Sequence, residues 1–357
     1  MRFTYDIRKS WKQNYDDGPQ FGEEFLPQVQ DPCPQEPSKS FLGLPVNSRI
    51  GIAAGLLLNS RWVAGYAARG FDILTYKTVR SVERDCYPPP NWVFLEEELG
   101  DADQPVYVRQ EVPSDPQNIS SSVCFGMPSV SPDVWREDIR AARQSLRKGQ
   151  VLVVSVVATP SAGTTSAAIE NDFAQCAEWA VQSGADVVEA NLSCPNVCSS
   201  EGTIYHDAEF SQRVSQSIRN RIGAVPLLLK TGLFAGHDQM KAFANAVAGI
   251  ADGITLVNCV IRTVLKRDGQ PVFGFEYTKA GVLGRAIHGP SVRAVQGLRR
   301  LLQDEGLPLQ VVAVGGAALD SDFADFFEAG ADAVLCGSSP MYQPNLAQQL
   351  KASHPEW

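Results

Sequence analysis

The sequence predicts a (β/α)8 barrel of the TIM type, and three observations carry that reading. A unit of helix end, small turn, Asp and short apolar run recurs along the chain. It reads Ala68-Arg69-Gly70-Phe71-Asp72-Ile73-Leu74, Ser183-Gly184-Ala185-Asp186-Val187-Val188, Gly249-Ile250-Ala251-Asp252-Gly253-Ile254 and Ala329-Gly330-Ala331-Asp332-Ala333-Val334. This is a degenerate internal repeat of helix–turn–strand units. The apolar runs number eight, and they are short and continuous, as strands of a parallel sheet buried on both faces must be. Amphipathic stretches separate most of them, so strands alternate with helices and a closed barrel is favoured. A doubly wound open sheet is the alternative, but it usually carries GxGxxG after an early strand and none is present.

In chain order, residues 1–45 are rich in Pro, Gln, Asp and Glu and read as an extended arm or a cover for the bottom of the barrel. Residues 46–357 then form one barrel domain. Its strands are expected at 49–54, 72–77, 151–158, 186–191, 226–231, 253–258, 310–314 and 332–336. Ser131 followed by Pro132 marks a helix start, with Trp135, Ile139, Ala142 and Leu146 on one face and Gly149 closing it. Ile169, Phe173, Cys176 and Ala180 make a second stripe. Val295, Leu298 and Leu302 make a third, ended by Gly306. Two connections are too long for bare loops, 78–130 after strand two and 259–289 after strand six. Both leave the C-terminal ends of strands, so both should cover the catalytic face.

Composition narrows the function. Of 357 residues, 44% are hydrophobic and 20% charged, as in an ordinary globular enzyme. A formal net charge of −9 argues against a nucleic-acid partner. No apolar run approaches the ~20 residues that cross a bilayer, and residues 1–17 lack the apolar segment of a secretory signal. The eight cysteines are scattered, a pattern that suits a reducing cytoplasm. With four histidines, no HExxH and no second ligand pair for Cys194 and Cys198, no metal site is expected.

Chemistry is expected where the strands end. Gly315-Gly316 follows strand seven, and Gly337-Ser338-Ser339-Pro340 follows strand eight and opens the last helix. Either these glycines only make tight turns, or together they cradle a phosphate with their N–H groups, the better reading on a barrel. Lys77 and Lys230 end apolar strands. They either reach back to solvent or meet an anionic ligand, and reduced FMN, negative near N1 and O2, is such a ligand. The run Glu189-Ala190-Asn191-Leu192-Ser193-Cys194-Pro195-Asn196 crosses the end of strand four. Asparagine both donates and accepts, so it can read the amide edges of a flat heterocycle, and Asn258 at the end of strand six offers another such contact. Cys194 is either structural or a base whose thiolate is accessible.

These residues resemble the dihydroorotate dehydrogenase family, most closely its soluble class with a cysteine base, over residues 41–350. The most specific match is Asn191-Leu192-Ser193-Cys194-Pro195-Asn196. Ala53-Ala54-Gly55, Lys77-Thr78, Lys230, Val257-Asn258, Gly315-Gly316, Gly337-Ser338 and Gly126-Met127-Pro128 also fit. The resemblance implies an FMN oxidoreductase acting on a CH–CH bond, taking dihydroorotate to orotate in pyrimidine biosynthesis. It implies that Cys194 is the base, that Lys77 and Asn191 orient the substrate, and that Lys230 stabilises the reduced flavin. Asn191, Asn196, Asn258, Gly126, Met127 and Cys259 would touch substrate. Ala53, Ala54, Gly55, Lys77, Thr78, Asn191, Lys230, Gly284, Gly315, Gly316, Gly337 and Ser338 would hold FMN. Residues 197–206 would form a lid, and a homodimer is the family expectation.

The departures fall on the substrate side. Val123 stands where the family has a substrate-binding asparagine, Ser129 ends a run that usually ends in Asn, and Cys259 replaces a serine after Asn258. Pro88-Pro89-Pro90-Asn91-Trp92 and Ala280-Gly281-Val282-Leu283-Gly284 also depart from family runs. Three alternatives follow. One is an FMN oxidoreductase for another dihydropyrimidine or a cyclic enone. Another is a flavin-free phosphate-binding lyase or synthase. The third is an FMN-binding protein without turnover.

Overall fold

A computed structural model describes every residue except 1–2, 24–35, 97–98, 100–103, 116–117, 162 and 194–199. Eight parallel strands close into a barrel in sequence order. They are β1 (Ile50–Leu57), β2 (Ile73–Val79), β3 (Val151–Val156), β4 (Val187–Asn191), β5 (Leu227–Lys230), β6 (Gly253–Leu256), β7 (Gln310–Val314) and β8 (Ala333–Cys336). Closure is made by β8 on β1, with Val334 opposite Ile50 and Leu335 opposite Gly51. The expected barrel is therefore the observed fold. Strand ends shift by a few residues: β1 runs on to Leu57 through a register shift after Ile52, and β6 stops at Leu256.

Alternation along each strand sorts the apolar residues into two shells. One fills the barrel interior and contains Ile73, Val153, Val187, Leu228, Val312 and Leu335. The other, including Leu74, Val154, Val188, Leu229 and Val334, packs against the surrounding helices. The predicted stripes face that outer shell. Trp135, Ile139 and Ala142 of the helix Pro132–Ser145 are buried, as are Val295, Leu298 and Leu302 of His288–Glu305, which ends at left-handed Gly306. The first of these helices stops before Gly149, because Leu146 already turns to extended backbone.

The recurring Asp has a structural cause. Asp186 Oδ2 accepts the Leu152 N–H at 2.9 Å, Asp252 Oδ2 that of Leu227 at 2.7 Å, and Asp332 Oδ2 that of Val311 at 2.7 Å. Each carboxylate thus satisfies an N–H at the start of the neighbouring strand that the parallel ladder leaves over. Arg143, Arg219 and Arg299, each from a helix, pair with the same three carboxylates. Asp72 differs: buried beside Ser48 and Lys351, it accepts the Ser48 hydroxyl at 2.6 Å, and burial raises its pKa above the ordinary carboxylate value.

The hairpin Lys39–Phe41 and Leu44–Val46 plugs the N-terminal end of the barrel, with Phe41 and Val46 joining the interior shell. Over the opposite end lies a five-stranded sheet ordered Trp92–Phe94, Ser120–Val123, Lys279–Gly284, Val260–Leu265 and Val106–Tyr107. Its strands come only from the two long connections after β2 and β6, which pair with each other there.

Candidate active site

A cavity of about 1210 Å³, its open mouth included, sits on the C-terminal ends of the barrel strands beneath this sheet. Lys77 and Thr78 of β2, Asn191 of β4 and Lys230 of β5 line it. So do Ala53, Ala54 and Gly55 of β1, and Asn258 and Cys259 beyond β6. Met127, Gly284, Gly315, Gly316, Gly337 and Ser338 complete the set of sequence-derived residues found on its wall. Cys194 and Asn196, with residues 197–199 of the expected lid, lie outside the described residues.

Strand geometry explains this convergence. Side chains two apart on a strand share a face, so the inward series Thr75–Lys77 and Glu189–Asn191 both end at the cavity. Asn191 and Lys230 are register partners on β4 and β5. Asn191 also shapes the turn that follows it, because its Oδ1 accepts the Ser193 N–H at 3.2 Å. Its amide lies 3.7 Å from the Met127 sulfur. Asn258 donates its amide to the Ser193 carbonyl, and its own N–H bonds the Thr231 carbonyl at 2.9 Å. Both asparagines therefore brace the backbone that leads into Cys194. Thr78 donates to Ser155 at 3.0 Å, and the Lys77 ammonium to the Thr78 carbonyl at 3.3 Å.

The glycine turns leave room for a ligand. A Cβ at Gly55 or Gly337 would meet nothing within 4 Å, so open space faces the backbone there. Gly316 has φ +82, and its Cβ would lie 2.5 Å from the Gly284 carbonyl, which shows how closely these two turns approach. Ser338 does not open the last helix, contrary to the expectation. A single 3-10 turn, Ser339–Met341, follows it, and the helix begins only at Leu346, after Pro344. Proline disfavours helical backbone in the residue before it, which ends the turn early. Gly126 lies between Phe125 and Met127, which line the cavity. At φ +71 it lets the loop pass the Tyr87 ring, 2.5 Å from where a Cβ would stand.

Part of the wall went unseen in the sequence. Tyr5 and Trp11, from the segment expected to be an arm or a bottom cover, line the cavity at the top of the barrel with Trp92 and Phe125. Thr4 anchors this segment, its N–H bonding Met341 O at 2.8 Å and its hydroxyl lying 2.6 Å from that of Tyr66. Asn59 and Arg61 hold the helix Trp11–Asp17 through the Tyr15 carbonyl, each at 2.7 Å. Burial pushes the Tyr5 hydroxyl well above its ordinary pKa, and the nearby Cys86 adds to this. Cys86 is itself pushed up to about 11 by burial, with Lys77 opposing the shift. The only signal for this wall was the density of aromatics within the first 17 residues.

Arg80 is a further residue that the sequence did not single out. Its fully buried guanidinium donates to Met127 O at 3.0 Å and to Ala158 O at 2.7 Å. It thereby fixes Met127, a non-glycine residue at φ +51 on the cavity wall.

The family profile described as Dihydroorotate dehydrogenase matches residues 107–353. A dihydroorotate dehydrogenase of Dictyostelium discoideum is 32% identical over 360 residues, covering 97% of this chain and 95% of that protein. The chain belongs to the dihydroorotate dehydrogenase family. As a member, it is an oxidoreductase acting on CH–CH donors. The catalytic subunit of Listeria monocytogenes dihydroorotate dehydrogenase B (NAD(+)) is 27% identical over 201 residues, 56% of this chain and 63% of that protein. A crystal structure of ligand-free dihydroorotate dehydrogenase from Eimeria tenella superposes with a TM-score of 0.72 at 17% identity, over 96% of this chain and 91% of that one. That last likeness concerns the fold. Among the described residues, no helix is long and apolar enough to cross a membrane.

Proposed function

We propose that this member of the family binds FMN in the cavity and oxidises dihydroorotate to orotate for pyrimidine biosynthesis. One observation carries the reading: two lysines, two asparagines and the glycine turns after β7 and β8 line one cavity, although they are spread from residue 77 to residue 338. The residues suit the cofactor. Gly284, Gly315, Gly316, Gly337 and Ser338 would hold its phosphate, the open backbone at Gly55 and Gly337 admits a ligand, and Lys230 would face the anionic edge of the ring. Bound there, FMN supplies the hydride acceptor. Cys194 takes the proton from the carbon next to the substrate carbonyl, Lys77 and Asn191 orient the substrate, and Asn196 and Asn258 read its amide edge. Anaerobic mixing of the FMN-reconstituted protein with dihydroorotate tests the proposal. Bleaching of the flavin absorbance supports it; an unchanged spectrum rejects it.

A second substrate is favoured by a specific observation. Val123 and Cys259 line the cavity where the family pattern has polar contacts, and each lost hydrogen bond to a buried polar substrate typically costs ~1–3 kcal/mol. A less polar dihydropyrimidine or a cyclic enone would avoid that loss, and faster flavin reduction by dihydrouracil than by dihydroorotate would select it. The flavin-free lyase or synthase gives way to the family assignment. A cytoplasmic location fits the five free cysteines among the described residues, Cys86, Cys124, Cys176, Cys259 and Cys336. The homodimer rests on the family likeness and is tested by sedimentation.

A further inference from the structure

Below the cavity floor, the barrel interior holds a carboxylate that the reaction as described does not use. Glu189 points inward on β4, two residues before Asn191, and is fully buried. Neither carboxylate oxygen has a hydrogen-bond partner among the described residues. Around it the interior shell mixes apolar side chains, Val153, Val187 and Leu228 among them, with the buried hydroxyl residues Thr75, Ser155 and Thr255. Its opposite charge is Lys230, whose Nζ lies 4.0 Å from Glu189 Oε1. Lys230 is itself 2% exposed and lines the cavity.

A carboxylate buried without donors costs stability, and a hydrophobic residue of similar volume generally serves a barrel interior at least as well. Folding alone therefore does not account for Glu189. Its effect is on the charge of the cavity. Lys77 and Lys230 are the charged residues on the wall among those described, and each is a cation. Glu189 offsets part of that positive charge on the side where Lys230 stands. We propose that Glu189 is a positioning residue that holds Lys230 beneath the flavin and partly neutralises it, so setting the reduction potential of the bound cofactor. The inference rests on the reading that FMN occupies the cavity beside Lys230. Two-electron reduction with uptake of one proton leaves the flavin ring with one extra negative charge, which an uncompensated Lys230 would favour. Glu189 holds that preference down and keeps reoxidation by the next acceptor accessible.

The test is the midpoint potential of the FMN-reconstituted protein, equilibrated with a reference dye during slow enzymatic reduction by xanthine and xanthine oxidase. Glu189→Gln should raise the preference for reduced over oxidised FMN at least tenfold, which for a two-electron couple is about 30 mV. In a Lys230→Met background the same substitution should shift the potential much less, because its effect passes through Lys230. Glu189→Met removes the same charge and leaves no buried amide unpaired, so it replaces the Gln variant should that one fail to fold. An unchanged potential in a folded, yellow variant overturns the proposal, as does an equal shift with and without Lys230. A wild-type protein that takes up no FMN overturns the functional reading instead, and this inference with it.

Discussion

The side chain of Asn258, just beyond β6, donates to the backbone carbonyl of Ser193, just beyond β4. This bond crosses the mouth of the barrel and fixes the residue that immediately precedes Cys194. Asn258→Ala should leave the fold and flavin uptake intact and lower kcat/KM for dihydroorotate by about tenfold or more, since one hydrogen bond of ~1–3 kcal/mol is lost and 1.36 kcal/mol is tenfold. Steady-state kinetics with a dye acceptor, beside a flavin absorbance spectrum, checks this. Asn258→Asp, which cannot donate, should behave like Ala.

Two neighbouring glycine positions should separate folding from binding. A Cβ at Gly337 would meet nothing within 4 Å among the described residues beyond its chain neighbours, so Gly337→Ala should melt close to wild type while FMN affinity falls at least tenfold. At Gly316 the left-handed backbone and the nearby Gly284 carbonyl both oppose a side chain. Gly316→Ala should therefore lower the melting temperature of the apoprotein itself. Fluorescence titration with FMN and thermal melts of both variants provide the comparison.

Arg80 should matter through Met127. Arg80→Met leaves the Met127 and Ala158 carbonyls without a donor they now have, at ~1–3 kcal/mol for each buried group. The expected result is a clear loss of stability with a raised KM. Denaturant unfolding gives the first and initial rates give the second; a variant as stable as wild type would remove Arg80 from the account.

Thiol chemistry separates two cysteines. Cys86 is held up at about 11, chiefly by burial, so at pH 8 its thiolate fraction is about one part in a thousand and alkylation should be slow. Because the folded value is raised, the stability tied to this thiol is complete below its unfolded pKa and is lost as pH rises through about 11. Cys259, on the cavity wall, should react faster and be protected by FMN. Peptide mapping after iodoacetamide treatment, with and without FMN, reads both.

The barrel was legible because it repeats. Asp186, Asp252 and Asp332 each bond an N–H within the first two residues of a neighbouring strand, so the chain writes one local solution several times. Lys77 and Lys230 stood out for the opposite reason, as charges closing apolar runs. Tyr5 and Trp11 were not legible as cavity residues, since an aromatic in a Pro-rich leader carries no period that states what it covers. The partnership of Glu189 with Lys230 was hidden too. It depends on how β4 and β5 are staggered, and no spacing within one strand encodes that.

The bond from Thr4 to the Met341 carbonyl joins nearly the first described residue to one just beyond the last barrel strand. Tyr66 likewise reaches the Pro340 carbonyl. During synthesis on the ribosome, the leading segment therefore has contacts such as those with Asn59, Arg61 and Tyr66 but not this bond until the final strand and its turn have left the exit tunnel. A nascent chain stalled short of residue 341 would hold most of its helices and still lack the anchor that ties this wall of the pocket to the last strand.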